Sequence, residues 1–278
     1  MKVLYISEGA VHEYMNDMLF HGLHRLLGSD VVDVNHMEFM FQGTIHGGYT
    51  LWGLLPNLEV DRTDILSKIR NRYFDLVIYG MVHLWREFLN EVETAYPPSR
   101  IFFIDGCDDY SIAPVQKGSG LYFKREIPDA PEYADMFPIQ FCVPREKIVS
   151  SIPDKIRLMA PLDPSDRSTY GYVTEESYRE MYAVSRFGKT IRKGGWDCLR
   201  HCEIMMMGCL PYFLGLEACP ARTLEYLPKV ELLLARQIYD TWPAMESRWE
   251  QVMLIMMNLL RKNLTTEAVA KRVLERVR

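Results

Sequence analysis

Over the first hundred residues, four short runs rich in β-branched and aromatic residues alternate with helix-periodic segments. That alternation predicts a parallel sheet with helices packed on it. The first run, Val3-Leu4-Tyr5-Ile6, stops at Ser7-Glu8-Gly9. Met15, Met18, Leu19, Gly22, Leu23, Leu26 and Leu27 follow at spacings of three and four, one face of a helix that Gly28 ends. Further strands are predicted at 31–34, 74–80 and 100–106, with helices at 63–72, capped by Thr63, and at 84–94. A glycine-rich loop (Gly43, Gly47, Gly48, Gly53) precedes the second helix. The order β-α-β-α-β-α-β is Rossmann-like and predicts a first domain over 1–110.

From 111 to 172 the pattern breaks into pieces punctuated by Pro114, Pro128, Pro131, Pro138, Pro144, Pro153, Pro161 and Pro164, a crossing between two halves. Within it, residues 121–126 are strand-like and set Lys124 and Arg125 beside Glu126. Regular α/β order returns over 173–278. Thr174, followed by Glu175 and Glu176, is an N-cap for a helix to about Tyr182. A strand at 183–187, a polar loop at 188–196 and a helix at 198–207 opened by Asp197 come next. A strand at 209–214 follows, and then helices at 230–239 and 244–260 and a last one capped by Thr265 or Thr266.

With 48% hydrophobic and 25% charged residues, the 278-residue chain has the composition of a folded protein with a substantial core. Its 32 basic and 37 acidic residues leave a net charge of −5, which excludes a global field of the kind that drives nonspecific nucleic-acid binding. Glu8 and Gly9 come too early for a secretory segment, and no run is long and apolar enough to cross a bilayer. A cytoplasmic protein is expected. The six cysteines form no C-x-x-C pair and read as reduced, buried thiols, and His21 and His24 have no third ligand, so no metal site is expected.

The chemistry concentrates at 185–203. Arg186, Lys189, Lys193 and Arg200 are interleaved with Gly188, Gly194 and Gly195 before a helix start. Glycines admit an anion close to backbone N–H groups, the helix dipole favours negative charge there, and the cations complete a phosphate or diphosphate site. Arg200 and Glu203, three apart, share a helix face, and a carboxylate there can accept two hydroxyl hydrogen bonds from a ribose. The guest predicted is a nucleoside diphosphate. Asp197 as N-cap competes with a phosphate for the first N–H groups. The competing interpretation is a solvated basic loop with an Arg200–Glu203 pair.

The run Arg200-His201-Cys202-Glu203 to Gly208-Cys209-Leu210-Pro211 resembles the "R-x-x-E, then G-C-x-P" signature of the carboxyl-terminal domain of GT-B glycosyltransferases, particularly the exostosin-like branch and glycosyltransferase family 1-like enzymes. Ser185-Arg186-Phe187-Gly188 is similar to the strand and loop leading into their donor pocket. The resemblance implies an α/β fold of two Rossmann-like domains facing a cleft, in a compact variant with C-terminal helices that cross back to the first domain. By it Glu203 holds the donor ribose, while Arg200, Lys193 and Arg186 neutralise the diphosphate, with no metal or other cofactor needed. Gly195 stands where many retaining members carry a second glutamate, which leaves the stereochemistry open and favours inversion.

A transfer of that kind needs a base for the acceptor hydroxyl. The candidates at the carboxyl ends of the first domain's strands are Glu8, His12 and Glu13, and Asp105, Asp108 and Asp109. Of these, His12 and Asp105 are the chosen pair, with Lys189, Gly194, Gly195 and Arg125 adding to the donor site. The expected function is glycosyl transfer from a nucleotide diphosphate-sugar to an unknown acceptor: a glycan, a small molecule or a modified DNA base. The rival is a noncatalytic nucleotide- or sugar-binding subunit of a larger assembly.

Overall fold

The structure, a computed structural model, describes residues 1–43 and 51–277; Gly47 and Gly48 of the glycine-rich loop lie outside the described residues. Six parallel strands form the first sheet: β1 (Val3–Ile6), β2 (Val31–Asp33), β3 (Leu76–Tyr79), β4 (Ile101–Asp105), β5 (Leu121–Lys124) and β6 (Phe137–Pro138), in the order β2-β1-β3-β4-β5-β6. One face is covered by α2 (Ile65–Arg70) and α3 (Leu89–Ala95), the other by α1 (Tyr14–Leu27). Wholly buried runs such as Leu76–Tyr79 and Ile101–Asp105 are what a sheet covered on both faces requires.

The second sheet is parallel and smaller, β7 (Arg157–Met159), β8 (Ser185–Ile191) and β9 (Leu210–Leu214) in that order. Around it lie α4 (Glu175–Ala183), α5 (Leu199–Met206), α6 (Lys229–Asp240) and α7 (Glu246–Asn263). The α/β class with two Rossmann-like units holds, the second reduced to three strands. The segment 111–172 carries β5, which falls within the strand-like run at 121–126, and also β6 and β7, strands of two and three residues among prolines that are too short for periodicity to reveal.

Three local expectations are corrected. Thr63 does not cap α2: its hydroxyl donates to Asp61 Oδ1 at 2.6 Å, and Asp64, in the left-handed region at φ 49°, precedes the helix. Residues 188–191 belong to β8, because the strand pairs with β9 as far as Ile191, and Gly188 lets Tyr182 and Ile204 pack against its backbone. Asp197 does not cap α5; Cys198 does, with no side-chain hydrogen bond.

The last helix, α8 (Thr266–Leu274), packs on α1. Gly22 permits that approach, since a Cβ there would collide with the Thr266 carbonyl, and His21 Nδ1 lies 2.8 Å from Thr266 Oγ1. One apolar cluster therefore runs from Met15 and Leu19 through Phe141 and Val143 to Met205, Met256 and Val269, joining the halves. All six cysteines are free. Among the described residues, no helix is long and apolar enough to cross a membrane, and no group of three or more His, Cys, Asp or Glu could hold a metal ion.

Candidate active site

Between the carboxyl ends of the two sheets lies a cavity of about 330 Å³. The first half contributes Tyr14 from α1, Asp108 from the loop after β4, Arg125 directly after β5, and Phe141. The second half contributes Lys193, Gly194, Gly195, Asp197, Cys198, Leu199, Arg200 and Glu203. Ligands collect at strand carboxyl ends in open α/β sheets, and this volume falls within the range of small-molecule sites.

The loop 192–198 owes its shape to packing across the gap. A Cβ on Gly195 would sit 2.9 Å from the Asp108 carbonyl and press on the Glu126 carboxylate, and one on Gly194 would strike the Asp108 carboxylate. Glu126 Oε1 accepts from the Asp197 backbone N–H at 2.8 Å, and Asp197 Oδ2 accepts from the Phe141 N–H at 2.7 Å. His201 holds the loop from beneath: Nε2 donates to the Trp196 carbonyl at 2.9 Å, leaving Nδ1 to accept from the Thr190 hydroxyl at 2.9 Å. Burial pushes that imidazole down to about 4, so it is neutral.

Because the Asp197 side chain faces Phe141, the first N–H groups of α5 have no carboxylate across them, and the positive end of the helix opens on the cavity. Arg200 stands in its first turn, 9% exposed. Its Nη2 donates to the Tyr170 hydroxyl at 3.1 Å, while Nε and Nη1 have no hydrogen-bond partner. Lys193 Nζ donates to the same hydroxyl at 2.7 Å. Glu203 Oε2 accepts from the Tyr178 hydroxyl at 2.9 Å, which fixes the carboxylate one turn along the helix from the cations.

The structure thus brings together Lys193, Gly194, Gly195, Arg200, Glu203 and Arg125 of the residues expected to hold a donor. It does not bring Arg186 or Lys189 to them. Arg186 is the second residue of β8, at the far end of the sheet, about 16 Å of strand before Ile191 and seven positions before Lys193. There its guanidinium lies over Trp242 and Trp249 and pairs with Glu246 at 3.6 Å. Lys189, inside β8, pairs with Asp163 at 2.5 Å and anchors the loop that carries Tyr170.

Neither chosen base reaches the cavity. His12 is exposed, with its ring 4.2 Å from Phe39 and 4.8 Å from Trp52. Asp105 is fully buried between Lys124 at 3.1 Å, His83 at 3.6 Å and the Tyr122 hydroxyl at 2.6 Å, the pairing a buried carboxylate needs. Of the base candidates after the first domain's strands, Asp108 lines the cavity; it pairs with Arg125, whose guanidinium also lies 4.6 Å over the Phe141 ring. Asp108 and Asp197 were within reach of sequence reasoning, whereas Tyr14, Phe141 and Tyr170 carried no motif.

In fold the chain is similar to an α-glucosyltransferase. One such structure, in complex with UDP and a 13-mer DNA containing an HMU base, superposes with a TM-score of 0.53 over 100% of this chain and 99% of the other, at 8% identity. Another α-glucosyltransferase, in complex with UDP, gives a TM-score of 0.50 over 99% of this chain and 98% of its own, again at 8% identity. At that identity the likeness establishes the GT-B fold and no more. No family of known proteins matches the sequence, and no curated protein does.

Proposed function

We propose that the chain is a glycosyltransferase that moves a sugar from a UDP-sugar to an acceptor hydroxyl. The observation that carries this is the pairing of a nine-tenths-buried, incompletely bonded Arg200 with Lys193 at a helix start that carries no carboxylate cap and opens on a cavity between the two halves. A leaving nucleoside diphosphate develops negative charge, and fixed cations and N–H groups in a partly water-excluded site stabilise it as it departs. In this reading Lys193, Arg200 and the α5 N–H groups hold the diphosphate without metal chemistry, and Glu203, oriented by Tyr178, takes the ribose hydroxyls. Arg125 then serves the other partner: it holds Asp108, which passes the acceptor proton out of the cavity in place of the sealed Asp105.

The acceptor proposed is a hydroxyl on a modified base in DNA. Support for it comes from the similar enzyme's complex with DNA, since a net charge of −5 supplies no basic field of its own.

Calorimetric titration of UDP into the protein tests the donor site. Arg200→Ala is expected to weaken binding roughly tenfold to a hundredfold and Glu203→Ala about tenfold, the loss of hydrogen bonds to charged groups. If both variants bind UDP as the wild type does, the pocket is misassigned. Release of free sugar from a UDP-sugar panel separates an enzyme from a nucleotide-binding subunit, which would bind without turnover.

A further inference from the structure

The two cations of the donor site already share one acceptor. The Tyr170 hydroxyl oxygen receives Lys193 Nζ at 2.7 Å and Arg200 Nη2 at 3.1 Å, and the same ring lies under both, 5.0 Å from the ammonium and 5.7 Å from the guanidinium. A phenol oxygen has two lone pairs and no charge, so both are spent on cations it does not neutralise. Arg200 keeps two buried nitrogens without partners. This is the hydrogen-bonding position a phosphate oxygen would take, filled by a weaker acceptor.

We infer that Tyr170 is an internal stand-in for the donor's diphosphate: its hydroxyl marks the phosphate subsite, yields it when the nucleotide binds, and reclaims it as the nucleoside diphosphate leaves. The inference rests on the proposed donor site and adds to it a positioning residue that competes with the ligand. An anionic oxygen makes stronger, charge-assisted bonds to Lys193 and Arg200 than a neutral phenol does, so the exchange runs toward the diphosphate.

The surrounding loop is built for such a movement. Its base is fixed by the Asp163–Lys189 pair and by Thr169, whose hydroxyl donates to the Asp166 carbonyl at 2.7 Å and accepts from the Asp163 N–H at 2.9 Å. At its tip the Tyr170 backbone N–H still donates to the Arg167 carbonyl at 3.2 Å, but the residue is 40% exposed and a Cβ on the following Gly171 would find nothing within 4 Å, which leaves the side chain room to swing. Once the hydroxyl has moved, the ring can stay against the cations and shield the bound diphosphate from water.

UDP titration into wild type, Tyr170→Phe, Tyr170→Ala and Arg200→Ala tests this. Tyr170→Phe keeps the ring and removes the competitor, so its Kd for UDP is expected to fall about threefold to tenfold; Tyr170→Ala, which also loses the ring, is expected to bind more weakly than Tyr170→Phe. A hydroxyl that merely held the cations in place would have the opposite effect. An unchanged or raised Kd in Tyr170→Phe, with Arg200→Ala still losing UDP, overturns the role of Tyr170 and leaves the donor site standing. Equal binding by wild type and Arg200→Ala, or no binding by either, removes both.

Discussion

Asp197 shows how one side chain's partner decides what its neighbours can bind. The sequence predicts it as the cap of α5; in the structure it turns to the Phe141 N–H instead, and the helix start is left open. Burial raises its carboxyl to about 7, against the pull of Arg125 and the Phe141 N–H, from an ordinary 3.8. Between those two values the folded protein keeps a proton that the unfolded chain has released, so this residue's contribution to stability falls as pH rises from about 4 to about 7. Asp197→Asn, which retains an acceptor for Phe141, is expected to gain in melting temperature relative to wild type across that window and to hold a constant advantage above it. A difference that is flat from pH 4 to 8 would refute the raised acidity. The residues legible in the sequence were those whose meaning is local: Lys193, Gly194, Gly195, Arg200 and Glu203 lie on one loop and one helix turn. Asp108 was marked only as one acid among several after the fourth strand, and Phe141 and Tyr170 reach the site from two further segments where nothing in their own neighbourhoods marks them.

Among the elements, the loop between β8 and α5 is the one whose sequence and geometry agree for a reason other than the one its composition suggests. Two glycines beside cations read as a phosphate cradle, yet here they let the loop press on Asp108 and Glu126 across the gap. Gly195→Ala is therefore expected to lose about 1–3 kcal/mol of stability, the cost of overpacking against backbone, and to weaken UDP binding at the same time. Thermal melting and titration of the same sample read both; an unchanged melting temperature would show that the loop can shift at little cost. The strand before it explains the misplacement of Lys189. Where a strand ends is poorly marked in a run such as Ser185-Arg186-Phe187-Gly188-Lys189-Thr190-Ile191, because Gly188 and Lys189 look like loop residues until their pairing with Pro211 and Tyr212 is seen.

At the scale of the whole molecule, the alternation of strands and helices in the first half was readable because each run is long and apolar enough to show its period. β5 was readable too, within the run at 121–126, but the two- and three-residue strands β6 and β7 were not, since pairing rather than pattern defines them. Nor did any local signal show that Gly22 exists to admit α8. Gly22→Ala would be favourable in an isolated helix by up to about 1 kcal/mol. In this fold it meets the Thr266 carbonyl and is expected to destabilise by about 2 kcal/mol or more, seen as a melting temperature lower by several degrees. The contact between α1 and α8 also sets an order of events during synthesis. While one face of the first helix packs on the sheet, the face that carries Gly22 receives its cover from a segment made some 240 residues later, by the count from Gly22 to Thr266. A ribosome must therefore deliver the chain through α8 before the first helix can bury that surface, and until then the nascent chain presents a greasy flank for chaperones to guard.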